Sequence, residues 1–333
     1  MSSPKVDHVQ QSDVAVGIVA INHAAPPTIE TAEQLAPRIG KSPDWIVENA
    51  GVACRHTALP GEDPAELVAD VAKPLLDQCG SPDLILNAGA MHRQMVPDTS
   101  VFIARSLGVE EVPAFTINAT CLSFVVALNT AKSLIRSGDY QCVLICTAEF
   151  PSRGRNFNQP ESAALLGDGV AAAIVEAGAS TGHIESFRMK TWPEAADYAE
   201  VRGGGVMRRP WDETTTHEDH VFDMKGDRLL RFALPRIRPF VRQFLQDNDL
   251  SVSDLAAIVP HQASLSAMQI VSKLGFPKDK IVDVLAKYGN CVAASIPIAL
   301  SEGAQQGKFQ RGDRILLLGT AAGMSIGAAI LRW

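Results

Sequence analysis

Ile117-Asn118-Ala119-Thr120-Cys121-Leu122-Ser123-Phe124 lies where one sequence pattern stops and another begins. Before it, Pro113-Ala114-Phe115-Thr116-Ile117 reads as a short buried strand. After it, Leu122, Val125, Val126, Leu128, Leu134 and Ile135 recur at helical spacing up to Gly138. A thiol on that turn faces the positive end of a helix, which favours thiolate over thiol and suits a nucleophile. A free cysteine is more often a small buried hydrophobe, and this segment alone does not overturn that reading.

Two later segments shift the balance. Leu255-Ala256-Ala257-Ile258-Val259-Pro260-His261-Gln262-Ala263 is an apolar strand ending in Pro-His, with a helical stretch from Ser264 to Leu274 behind it. Lys287-Tyr288-Gly289-Asn290-Cys291-Val292-Ala293-Ala294-Ser295 sets an asparagine at another loop-to-helix junction. A cysteine, a histidine and an asparagine thus each stand where the chain changes type. Such ends are where an α/β scaffold gathers its active-site groups. Taken singly, His261 is a satisfied strand-end histidine and Asn290 a helix cap, and asparagine caps helices well.

Apolar runs predict strands at 14–21, 84–87, 114–117, 143–147 and 171–175, then at 183–189, 256–259, 281–285, 315–319 and 327–331. Helical patterns fall between them at 65–79, 99–107, 122–136, 228–247, 264–274 and 292–306. The alternation predicts mainly parallel sheets, and the continuous apolar runs predict sheets covered on both faces. There is also an internal repeat: Gly138 lies 17 positions beyond Cys121, and Gly307 lies 17 beyond Asn290. Each helix then gives way to a charged turn and an aliphatic strand. Asn290 is therefore expected to hold in the second half the place of Cys121 in the first, with both helix starts at the centre of a two-fold arrangement.

The chain has 333 residues, 46% of them apolar, enough for a large core or two fused units. A net charge of -7 argues against nucleic acid or an anionic membrane as the main partner. No apolar run reaches the roughly 20 residues of a membrane span. The first 13 residues are polar and lack a signal-peptide core, so a cytoplasmic location is expected. The six cysteines, Cys54, Cys79, Cys121, Cys142, Cys146 and Cys291, form no Cys-x-x-Cys pair and suggest no disulfide framework. His217-Glu218-Asp219-His220 reads as a solvated loop rather than a metal cluster. Gly203-Gly204-Gly205 lacks the strand that a dinucleotide site requires. Asp168 reads as a turn residue. The segment 191–220 is too long for an ordinary connection and reads as a functional cover or a mobile loop.

The three junctions resemble the Cys, His and Asn motifs of the β-ketoacyl synthase III group of the thiolase superfamily, over nearly the whole chain. Pro43-Asp44-Trp45-Ile46-Val47, Cys54-Arg55-His56, Leu166-Gly167-Asp168-Gly169 and Gly319-Thr320-Ala321-Ala322-Gly323-Met324-Ser325-Ile326-Gly327 support it by order and spacing. The resemblance implies an α/β thiolase fold, with duplicated βαβαβ halves in a five-layered α-β-α-β-α arrangement. Residues 1–178 would carry the nucleophile and 179–333 the His and Asn. It further implies an acyltransferase that loads an acyl group on Cys121 and condenses it with a carrier-bound malonyl or β-ketoacyl unit. His261 and Asn290 would stabilise the enolate, and backbone N–H groups of Cys121, Ala322 and Gly323 the oxyanion. No metal or redox cofactor is implied. The substrates would be phosphopantetheine thioesters of acyl carrier protein or coenzyme A, and the protein a homodimer.

Departures from the family pattern refine these expectations. Trp45 matches an adenine-stacking tryptophan, yet Asn49 and Pro160 stand where relatives have arginines, which favours a carrier-protein substrate. Ser264 replaces an asparagine near His261, and Ala321-Ala322-Gly323 replaces three glycines, with strain expected wherever φ is positive. Arg231 matches a docking position among the basic residues 228–242. Val96 replaces a phenylalanine that limits acyl length, so a longer chain and a stand-alone ketosynthase of polyketide or secondary metabolism are expected. The alternatives are joining of two β-ketoacyl chains to an α-pyrone, acyl transfer to an oxygen or nitrogen acceptor, and a non-catalytic partner subunit. The 89–97 loop has no acid, although Asp98 is close, which weakens pathways that need an extra base.

Overall fold

Side-chain caps start the early helices of this protein. In the structure, a computed structural model that describes residues 14–333, Thr31 accepts from the Gln34 N–H while Gln34 bonds back to Thr31. Ser42 caps the next helix just ahead of Pro43. The polar segment 1–13, read above as lacking a signal-peptide core, lies outside the described residues.

The first half runs β1 (Val16–Ala24), β2 (Ile29–Thr31), α1 (Ala32–Ile39), α2 (Pro43–Ala50), β3 (Cys54–His56), α3 (Pro64–Cys79) and β4 (Leu84–Ala88). It continues with α4 (Thr99–Leu107), β5 (Ala114–Ile117), α5 (Ser123–Ser137), β6 (Cys142–Glu149), α6 (Pro160–Ala163) and β7 (Gly169–Ala177). The second half holds β8 (His183–Thr191), β9 (Ala199–Glu200), β10 (Asp223–Met224), α7 (Gly226–Gln246), β11 (Ala257–Pro260) and α8 (Leu265–Lys273). It ends with α9 (Leu285–Tyr288), α10 (Ser295–Gln305), β12 (Arg314–Ala321) and β13 (Ser325–Arg332).

The large sheet has the order β11-β12-β13-β8-β1-β7-β6-β4-β5. Its two halves meet at a single pair, Gly17 with His183. Gly17 has no room for a side chain there, since a Cβ would stand 2.3 Å from the Thr181 carbonyl oxygen. The two half-sheets sandwich α5 and α10, whose Phe124, Leu128, Ile296 and Leu300 form one core with Leu86, Ile145, Val259 and Leu317. The outer face of the first half-sheet is covered by α3 and α4, and that of the second by α7 and α8 together with α1 and α2. The result is the five layers expected for a thiolase fold.

Three sequence expectations are corrected. Among the described strands only β4–β5, β4–β6 and β11–β12 are parallel, while the middle of the sheet is antiparallel. For β12–β13 the cause is local: a tight turn joins them, and such a turn can only reverse the chain. Residues 281–285 are not a strand. Ile281 makes one isolated pair with Ile258, and the Gln262 amide then takes over the backbone, accepting from Val284 N–H (3.0 Å) and donating to the Val282 carbonyl (3.2 Å). The internal repeat is real but slipped by three residues. Asn118 accepts from Thr120 N–H as Asn290 does from Val292 N–H, at 2.9 and 2.8 Å. Ser123 and Ser295 accept from the Ala119 and Cys291 N–H groups in the same way. Thr120 and Val292 share left-handed φ values of 50° and 48°. Asn290 is therefore the counterpart of Asn118, and Cys121 of Ala293. The glycine spacing misled because α5 has 15 residues and α10 only 11.

Candidate active site

Each junction residue is set by its own backbone. Cys121 sits in the 3-10 turn 120–122 that opens α5, immediately after left-handed Thr120. His261 follows β11, its N–H bonded to the Leu318 carbonyl at 2.8 Å. Asn290 is pinned between strand-like bonds to Leu165 and Gly167. This close pass needs Gly167, where a Cβ would lie 2.1 Å from the Tyr288 carbonyl oxygen. The Asn290 amide accepts from Val292 N–H and donates one N–H to the Ala263 carbonyl at 3.2 Å, leaving its second N–H without a partner among the described residues.

All three residues line one cavity of about 1850 Å³, which also takes in Trp45, Val96, Ser264, Ala322 and Gly323. Leu122, a bulky residue after the nucleophile position, fits because Gly319 and Gly327 face it. A Cβ on Gly327 would stand 3.0 Å from both of its methyl carbons. The positive φ of the β12–β13 turn falls on Gly323 (76°) and Met324 (43°), so the Ala321-Ala322 change carries no strain there and Met324 does.

The electrostatics correct one expectation. The surroundings of Cys121 raise its thiol rather than lower it, although the residue is only half-buried and lines the cavity. Burial pushes its thiol up to about 12, with the Glu149 charge adding to the shift; the backbone N–H groups of Ala322 and Cys121 oppose it without prevailing. One short turn at a helix start does not outweigh desolvation. His261 is neutral, burial pushing it down to about 4, and its Nδ1 is buried without a partner.

Other expected residues fall as follows. Trp45 lies on α2 with the Lys41 ammonium 4.9 Å from its ring, a cation the sequence reading overlooked. Asn49 lines the cavity but bonds back to the Trp45 carbonyl. Ser264 caps α8. Arg231 is on the exposed face of α7, outside the cavity, whereas Arg228 lines it. Asp98 caps α4 and accepts from Ser100 and Thr116, so its carboxylate is already engaged. Asp168 is buried and accepts from Ala58 and Ser152. Within the 191–220 segment, Gly203 to Gly205 line the cavity, and Arg202 ties the segment down through Glu200, Asp219 and Asp223. The segment is therefore a cover. Among the described residues no group of His, Cys, Asp and Glu is placed to hold a metal ion, and no helix is long and apolar enough to cross a membrane.

The residue the sequence reading missed is Glu149. It is fully buried, held by the Ala90 and Met91 N–H groups, and burial raises its carboxyl to about 8. The signal was present: one acid closing the aliphatic run Cys142-Val143-Leu144-Ile145-Cys146-Thr147-Ala148-Glu149.

The family described as 3-oxoacyl-(acyl-carrier-protein) synthase III matches residues 115–193, and its C-terminal model matches residues 245–333. A β-ketoacyl-(acyl-carrier-protein) synthase III of Clostridium perfringens strain SM101 is 30% identical over 95% of this chain and 98% of its own. One from Paramagnetospirillum magneticum is 31% identical, again over 95% and 98%. The crystal structure of 3-oxoacyl-(acyl carrier protein) synthase III from Pseudomonas aeruginosa PAO1 superposes with a TM-score of 0.87 at 27% identity, covering 96% of this chain and 98% of that one.

Proposed function

The chain belongs to the 3-oxoacyl-(acyl-carrier-protein) synthase III family, and from that membership we propose how its own residues carry out the condensing acyl-thioester chemistry of that family. Cys121 attacks the thioester carbonyl, its proton leaving with the displaced phosphopantetheine thiol. The N–H groups of Cys121, Ala322 and Gly323 bind the oxyanion. A carrier-bound malonyl unit then loses carbon dioxide. Neutral His261 and the free N–H of Asn290 hold the enolate oxygen, and the carbanion takes the acyl group from Cys121. The observation that carries this reading is the convergence of Cys121, His261 and Asn290 on one cavity.

The residues also favour particular partners. Arg228, Arg231 and Arg242 are exposed on α7 with no salt-bridge partner among the described residues, and suit an acidic carrier protein. Its on-rate is expected to fall steeply with salt, and Arg231→Glu to slow loading. Trp45 with Lys41 still offers a stacking site for a coenzyme A adenine. Edge strand β5 with exposed Phe115, together with the exposed Met95 and Val96 of the 89–97 loop, suits a homodimer. Val96 in place of a larger side chain suits a longer acyl chain and a stand-alone ketosynthase of polyketide metabolism. The proposed halves, 1–178 and 179–333, divide the described chain between β7 and β8.

The test is intact-protein mass spectrometry after incubation with acyl thioesters. The wild type is expected to gain one acyl mass at Cys121 and the Cys121→Ala variant none. Acylation elsewhere, or equal labelling of the variant, would sink the reading. Product analysis with malonyl carrier protein then separates carbon–carbon bond formation from transfer to a hydroxyl or amine.

A further inference from the structure

Glu149 closes β6 directly behind the cavity wall. Its carboxyl accepts Ala90 N–H at 2.5 Å and Met91 N–H at 3.2 Å, and both of those residues line the cavity. The hydrogen bonds beside it run in one direction. Thr116 Oγ1 donates to Asp98 Oδ1 (2.8 Å), so toward Asn87 it can only accept, from Nδ2 at 3.0 Å. That orients the Asn87 amide and leaves its Oδ1 buried without a donor. A Cβ on Gly89 would lie 3.2 Å from Glu149 Oε1, 3.3 Å from Asn87 Nδ2 and 3.4 Å from Asn87 Oδ1, so the carboxyl and the Asn87 amide, with its orphan acceptor, border one small space. A carboxyl that carries a proton satisfies such an acceptor, whereas a carboxylate repels it.

We propose that Glu149 is a positioning residue held as a neutral acid, clamping the Ala90–Met91 turn and donating to Asn87 Oδ1. When it loses that proton, its charge behind Cys121 suppresses thiolate formation. The inference rests on Cys121 as the acyl-accepting thiol. Burial and the nearby Asp168 place the Glu149 proton within reach of ordinary conditions, near pH 8. The other groups facing this space are accounted for. Asp168 is held by Ala58 and Ser152 with Arg155 nearby, and the Cys121 and Cys291 thiols both feel the Glu149 charge. At the far end, bonds from Ser100 and Thr116 overcome burial and keep Asp98 below the ordinary carboxylate range.

The experiment is alkylation of Cys121 by iodoacetamide, read at that peptide by mass spectrometry from about pH 6 to about pH 10. Glu149→Gln keeps a donor and an acceptor but cannot ionise. The ratio of variant to wild-type rate is expected to stay flat below about pH 7 and to rise several-fold above about pH 8. A clamp with no electrostatic part would change the rate by one factor at every pH, and a constant ratio overturns the proposal. Should the variant fail to fold, the wild-type curve decides. A bend near pH 8 supports the coupling, and a single thiol titration rejects it. Thiol ionisation is read without substrate, so failure of acyl loading at Cys121 would show itself separately.

Discussion

Asn290 shows how much of a residue's role is set by its immediate bonds. Val292 N–H holds its carbonyl, Ala263 takes one amide proton, and the other has no partner among the described residues. Neutral His261 offers a donor without a full charge. Removing one such donor costs roughly 10²–10³-fold in rate when the charge it faces develops in the transition state. Asn290→Ala and His261→Ala are therefore expected to lower condensation by that order while Cys121 still takes up acyl groups. Loading and product formation are measured separately on the same samples. Loss of loading in Asn290→Ala, with the fold intact by circular dichroism, would count against this division of labour.

At the scale of elements, the start of α5 depends on glycines far away in sequence. Leu122 is fully buried against β12 and β13, where Gly319 and Gly327 leave room for it. Gly327→Ala would press a Cβ to 3.0 Å from both Leu122 methyl carbons. Overpacking of this kind costs about 1–3 kcal/mol. Thermal or denaturant unfolding should show that loss, and the added methyl should cost less in a Leu122→Ala background. The double-mutant cycle measures that coupling, and strict additivity would show that the two sites do not touch. The cover between β8 and α7 depends in the same way on one side chain. Arg202 binds three carboxylates, and Arg202→Ala is expected to speed hydrogen exchange and proteolysis at 199–223 while leaving the sandwiched helices unchanged.

At the scale of the molecule, two buried glutamates bound the pH range of stability from opposite sides. Glu302, despite burial, is pulled down to about 2 by Lys287, Tyr288 and Gln306. Its folded pKa is depressed, so its contribution is present above the unfolded value and lost as pH falls toward about 2. Because Lys287 is mostly exposed, the effect is on the order of 2 kcal/mol. Glu149 is raised, so its contribution is full below the unfolded value of 4.5, is lost progressively as pH rises from there, and is gone once pH passes about 8. Glu302→Gln is expected to flatten the acid limb of a melting-temperature profile and Glu149→Gln the decline between pH 4.5 and about 8. The opposite assignment would refute both. The sequence by itself determined the periodic elements, the family and the three junction residues, because helix starts, strand ends and glycine stops are written in local order. It did not determine that Gln262 replaces a strand at 282–284, that the repeat is slipped by three residues, or that burial and a nearby acid push the thiol up. Those depend on which groups are packed together and shielded from water. Desolvation and through-space hydrogen bonds exist only once distant segments have met.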